Sequence, residues 1–115
     1  MRRRGDALRW AVGVLALAAG PGAAAGLDGV YDLDCAAAVS DARVTISGNR
    51  IEFWETACSL ENPVNVRDLG GAVLFDMRCT GEGETWTDRV LLMPSLEGGL
   101  VRVATGFAIT YQRCQ

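Results

Sequence analysis

Val44-Thr45-Ile46-Ser47-Gly48-Asn49-Arg50-Ile51-Glu52-Phe53-Trp54 alternates apolar and polar side chains on both sides of a Gly-Asn pair. Period-two alternation marks a strand with one buried face, and a two-residue connection with Gly first matches the right-handed twist of paired strands. The stretch predicts a hairpin in which Ser47 faces Arg50, Ile46 faces Ile51 and Val44 faces Phe53. The four apolar residues then share one face, while Thr45 with Glu52 and Arg43 with Trp54 take the other, so both faces support one register. In this register the Arg43 guanidinium lies over the Trp54 ring as a cation–π cover. Left uncovered, Trp54 is an exposed ring suited to stacking on a sugar or docking a partner.

Outward from the hairpin the same period recurs, and no helical stripe interrupts it. Strands are expected over residues 29–34, 72–78, 86–93 and 100–113, with a short edge strand at Val64-Asn65-Val66 between Pro63 and the Gly70-Gly71 loop. Val101, Val103, Thr105, Phe107, Ile109 and Tyr111 keep one phase, which favours a single long strand kinked at Gly106 over two strands. The expected fold is all-β: a small antiparallel meander barrel or sandwich of about six to eight strands. A weak echo between Tyr31-Asp32-Leu33-Asp34-Cys35 and Phe75-Asp76-Met77-Arg78-Cys79 suggests two three-stranded halves.

The first residues carry Arg2, Arg3, Arg4 and Arg9, and Trp10 to Ala19 follows without a charge. Gly20-Pro21-Gly22 then breaks a helix, and Ala23-Ala24-Ala25 supplies the small residues a signal peptidase requires. Residues 1–25 read as a signal peptide and 26–115 as one domain. An uncleaved anchor is disfavoured because the apolar stretch is about half of the ~20 residues a spanning helix needs. The expected location is periplasmic or secreted.

Residues 26–115 hold 7 arginines, no lysine and 13 acidic residues, a net charge of −6. An acidic surface argues against nucleic acid and anionic membranes as partners and leaves a basic protein as the partner it permits. Four cysteines in an exported domain of this size imply two disulfides. Zinc is disfavoured, since the spacings of 23, 21 and 35 residues contain no close cysteine pair and the chain lacks histidine. In a two-half meander both cysteines of a half reach the same rim, so the expected pairs are Cys35–Cys58 and Cys79–Cys114, one of three possible connectivities.

Catalysis is opposed by inventory: without His or Lys, and with cysteines paired, the usual bases and activated nucleophiles are missing. Asp32 with Asp34 are close enough in sequence to serve as a carboxylate dyad, but alternation with Tyr31 and Leu33 reads them as a solvated outer face. The most distinctive segment is Cys79-Thr80-Gly81-Glu82-Gly83-Glu84-Thr85-Trp86. It reads either as a plain Gly-rich connector or as an acidic recognition loop with Glu82, Glu84 and Trp86 at the contact; a calcium site completed by Asp88 lacks the spacing of a calcium loop. No cofactor is indicated.

The framework of Tyr31-Asp32-Leu33-Asp34-Cys35, Phe53-Trp54-Glu55-Thr56-Ala57-Cys58, Cys79-Thr80-Gly81-Glu82-Gly83-Glu84 and Tyr111-Gln112-Arg113-Cys114 resembles small secreted four-cysteine β-proteins of GC-rich proteobacteria, a likeness that implies no activity. A thinner resemblance is to the periplasmic inhibitors of C-type lysozyme, compact β-barrels that recognise a basic enzyme. Their inhibitory Ser and Lys are matched here only by Ser47-Gly48, and Lys is absent. The expectation is a non-enzymatic binding or accessory protein, with an inhibitor of a basic secreted hydrolase as the alternative.

Overall fold

The Gly48-Asn49 hairpin forms in the expected register. A computed structural model describes residues 25–115, and in it Thr45 lies opposite Glu52, Ile46 opposite Ile51 and Ser47 opposite Arg50. Gly48 takes the left-handed conformation (φ 61°) that a turn matched to strand twist requires. The signal-peptide reading of residues 1–25 lies outside the described residues except for Ala25, which opens a short 3-10 turn, Ala25–Leu27.

Eight strands follow: β1 Gly29–Asp32, β2 Val44–Ser47, β3 Arg50–Phe53, β4 Thr56–Asn65, β5 Val73–Gly81, β6 Glu84–Pro94, β7 Leu100–Ala104 and β8 Phe107–Arg113. Each pairs antiparallel with the next, and β1 pairs with β8 to close the barrel. The fold is thus a barrel, one continuous meander in place of two halves. At eight strands the lumen is just wide enough for side chains to fill it. Tyr31, Ile46, Ile51, Leu60, Phe75, Val90, Leu92 and Leu100 do so, each at most 3% exposed. Tyr31 plugs the end where the chain enters, donating its hydroxyl to the Leu27 carbonyl at 2.6 Å and accepting from Arg113 at 3.0 Å. Burial pushes the Tyr31 hydroxyl pKa up, against the pull of the Arg113 charge.

Three expectations about strand limits and phase are corrected. Residues 100–113 are two strands, because Thr105-Gly106 is a tight turn with Gly106 left-handed (φ 89°) and Ala104 opposite Phe107. The phase therefore reverses: Leu100 and Arg102, not Val101 and Val103, face the lumen on β7. The Val64 segment is no separate edge strand but the end of β4, continued past an irregularity between Glu61 and Val64 where Asn62 is left-handed.

The disulfides are Cys35–Cys114 and Cys58–Cys79, not Cys35–Cys58 and Cys79–Cys114. The two-strand ending carries Cys114 to the far rim from Cys79. Cys58 and Cys79 sit directly opposite each other on β4 and β5 and are both buried in the lumen. Cys35 is not at a strand end at all: β1 stops at Asp32, and residues 33–43 fold back over its outer side. Asp32 points outward, opposite in phase to Tyr31, yet it is fully buried instead of solvated. The Leu33 N–H, the Ser40 hydroxyl and Arg43 Nε all donate to its carboxylate at 2.8–2.9 Å. This cover holds Cys35 beside β8, where its N–H reaches the Gln112 side chain (3.4 Å). Two cysteines thereby share a rim that strand parity alone does not give them.

Candidate functional site

In an up-and-down barrel alternate connections share a rim, so the turns at residues 54–55, 82–83 and 105–106 meet at one end, with the 33–43 loop beside them. The β5–β6 ladder runs out to Gly81 opposite Glu84, whereas the β6–β7 ladder begins only at Val90 opposite Ala104. Glu84–Arg89 therefore project beyond β7. Glu82 and Gly83 at the hairpin tip are both left-handed (φ 51° and 81°), the geometry of a twist-matched two-residue turn. Gly81 fixes where the tip lies, since a Cβ there would sit 2.8 Å from the Glu55 carbonyl and 2.9 Å from Thr56 Oγ1. Backbone contact thus brings Glu55 and Glu82 to one lip.

Trp86 stands opposite Cys79 and inherits its inward phase, but this far out the ring is 38% exposed. It separates two hollows. One, of about 270 Å³, is lined by Thr56, Gly81, Glu82, Glu84 and Trp86. The other, of about 200 Å³, is the barrel mouth, lined by Phe53, Thr56, Met77, Cys79, Trp86, Asp88 and Arg102. The structure thus brings together the three residues singled out on the acidic segment. Trp54 is not among them. It is 55% exposed and faces a neighbouring groove of about 340 Å³ between the β2–β3 hairpin and Val39, Ser40 and Arg43. The Arg43 guanidinium expected over this ring is drawn away to Asp32 and the Ala37 carbonyl.

Arg102 is the residue that sequence reasoning missed. Its guanidinium lies 4.8 Å from the Phe53 ring centre, 5.0 Å from that of Phe107 and 5.9 Å from that of Tyr111. Both Nε and Nη2 donate to the Tyr111 hydroxyl, at 3.1 and 2.9 Å. Three rings and one phenol oxygen hold the charge at the floor of the mouth. The signal that could have found it is the strict alternation Leu100, Arg102, Ala104, passed over because a charged residue argues against an inward phase.

Charge is unevenly distributed. Among the described residues Arg43, Arg50, Arg67, Arg78 and Arg89 each pair with a carboxylate, and Arg102 and Arg113 bond tyrosine hydroxyls. The Glu61 carboxyl is held below its ordinary pKa by Arg78 and Ser59, whose hydrogen bonds outweigh partial burial. Among the described residues the carboxylates without an arginine include Glu55, Glu82, Glu84 and Asp88 on this rim and Asp41 on the adjoining loop. The barrel end is therefore acidic and carries the exposed rings of Trp54, Trp86 and Phe107. A larger hollow of about 610 Å³ lies toward the opposite end; its lining is mostly apolar, with Leu69, Met93, Pro94, Leu96 and Val101 beside Ser95, Glu97 and Thr110.

Among the described residues no three metal-ligating side chains converge. No protein-family model, curated protein or solved structure matches the chain. The two disulfides are consistent with an oxidising compartment.

Proposed function

We propose that this is an exported, non-enzymatic binding protein of the periplasm or extracellular space whose acidic, aromatic barrel end docks a basic protein. The observation that carries the reading is the gathering of Glu55, Glu82, Glu84 and Asp88, which no arginine of the described residues pairs, with exposed Trp86 and Phe107 on one rim, while Arg89 is engaged by Asp76 and Arg102 by the rings and the Tyr111 hydroxyl beneath. Aromatic anchors surrounded by charge of one sign are the composition of a recognition surface: rings supply contact area, and carboxylates steer and select a partner of opposite charge. Export rests on the charged start, the short apolar run and the Ala-rich cleavage site.

The projecting hairpin favours a more particular form of this reading, an inhibitor of a basic secreted hydrolase, since a narrow lip can enter a cleft that a flat surface cannot. The test is affinity capture from a periplasmic extract, with a C-type lysozyme as a defined basic probe beside it. Basic proteins should be retained by the native chain at low salt and released as salt rises, and the E82Q/E84Q variant should lose them while melting at the native temperature. Equal retention by both would remove the acidic rim from the function.

A further inference from the structure

The closed barrel leaves the outer part of β6 with an open strand edge. Gly81 and Glu84 flank a two-residue turn and so exchange hydrogen bonds with each other, and alternation then points the backbone groups of Trp86 and Asp88 at β5 as well. The N–H and C=O groups of Thr85, Thr87 and Arg89 point the other way. There β7 offers Thr85 and Thr87 no partner, because its ladder with β6 ends at Val90 opposite Ala104, a pair that sets Arg89 against Thr105, and the chain turns back at Thr105-Gly106. Among the described residues Thr85 and Thr87 make no backbone hydrogen bond to a loop or turn either. Edges of this kind are normally blunted by a proline, a bulge or charged side chains; here Glu84, Asp88 and Arg89 supply charge that repels a like-charged strand and leaves a basic one admissible. Between those charges Thr85-Trp86-Thr87 has no proline and no bulge, its pairing with β5 is regular, and its residue types favour extended backbone.

We infer that the Glu84–Arg89 edge of β6 accepts an extended basic segment of a partner protein as an added antiparallel strand. The inference rests on the proposed function and states how the acidic end would hold its partner. Alternation gives the added strand two faces. On the mouth side its residues lie beside Glu84, Trp86 and Asp88, where an arginine or lysine finds carboxylates for its charge and the Trp86 ring for its stem. On the other side they meet Thr85, Thr87 and Arg89, whose own charge is engaged by Asp76 at 3.6 Å.

A second copy of the chain fits the edge badly. Antiparallel self-pairing places Thr87 opposite Thr87 or Thr85 opposite Thr87, since only residues with outward backbone groups can face each other. The first sets Trp86 against Asp88 of the other copy, and the second sets Glu84 against Asp88. Either way four carboxylates crowd one face, and like charges across a ladder oppose pairing.

The test uses the full chain and, as probe, a capped peptide of about eight residues alternating arginine and threonine, long enough to span the edge. Its controls are the same peptide with glutamate for arginine and a version methylated on the backbone nitrogens that would face β6. In the free protein the Thr85 and Thr87 amides should exchange with solvent at least about tenfold faster than those of Trp86 and Asp88, and the peptide should slow them. Binding should fall about tenfold or more on backbone methylation and in Thr87→Pro, but not in Thr87→Ser, because only the first two remove a hydrogen bond at the edge. The methylated peptide decides the matter even if Thr87→Pro does not fold. Thr85 and Thr87 amides already protected in the free monomer would overturn the inference. Equal binding of the methylated and plain peptides would overturn strand addition and leave side-chain docking at the acidic end standing, and binding of lysozyme without the peptide would have the same consequence. A dimer abolished by Thr87→Pro would overturn the choice of partner.

Discussion

Asp32 is the buried charge on which the outer loop depends. Burial alone would raise its pKa, but the Ser40 hydroxyl, the Leu33 N–H and Arg43 outweigh it and hold the carboxyl below the ordinary carboxylate range. A carboxyl held lower in the folded than in the unfolded chain stabilises the fold fully above its unfolded pKa of about 4, and this contribution is lost as pH falls through the folded value. Asp32→Asn keeps the shape and removes the charge. Its urea midpoint should lie below that of the native chain at pH 7, and the gap should narrow steadily below about pH 4. A gap independent of pH would mean that the loop is held by packing instead. Arg102 makes a second test at this scale. Arg102→Ala should cost about 1–3 kcal/mol through lost ring contacts and hydrogen bonds, and less in a Tyr111→Phe background, since the two residues share those bonds.

Elements were legible where turn chemistry announced itself. Gly48-Asn49 gave β2 and β3 with their register, because a Gly-first turn and alternation on both sides agreed. The first part of β4 was not legible: Trp54-Glu55 carries no turn residue, and Glu55 takes a left-handed conformation (φ 59°) that its type rarely adopts. At Thr105-Gly106 the signal is present but fits a kink as well as a turn, since Val101 and Val103 share a phase with Phe107, Ile109 and Tyr111. The acidic segment was legible as a candidate, whereas its floor was not, because Arg102 faces inward against the rule that charges face out. The β5–β6 tip depends on one close approach. Gly81→Ala would drive a Cβ into the Glu55 carbonyl and should cost about 1–3 kcal/mol by overpacking. It should also move the Glu82–Glu84 lip, so retention of basic proteins should weaken with stability; an unchanged melting temperature would show that the tip is free to shift.

At the scale of the whole molecule the two disulfides hold different things. Cys58–Cys79 joins neighbours that the β4–β5 ladder already sets opposite each other, and it spans 21 residues. Cys35–Cys114 spans 79 residues and ties the folded-back 33–43 loop to the end of β8, next to the β1–β8 seam that closes the barrel. Loop-closure entropy alone gives about 3 kcal/mol for the first and about 4.5 kcal/mol for the second. The order of loss should reveal a second difference. C35A/C114A should lower the denaturation midpoint more, and amide exchange should rise first in residues 33–43 and in β1, since the seam is short: Tyr31 pairs with Arg113 and Asp32 with Gln112, and Val30 bonds the backbone of Cys114 and Gln115 next to the disulfide itself. C58A/C79A leaves the seam intact but empties two buried side-chain positions in the lumen, so its exchange should rise across β4 and β5 instead. Peptide mapping of the oxidised chain under non-reducing digestion tests the premise of both. Recovery of Cys35 joined to Cys58 would contradict the barrel closure on which this ordering depends, because it would pull the outer loop away from β8.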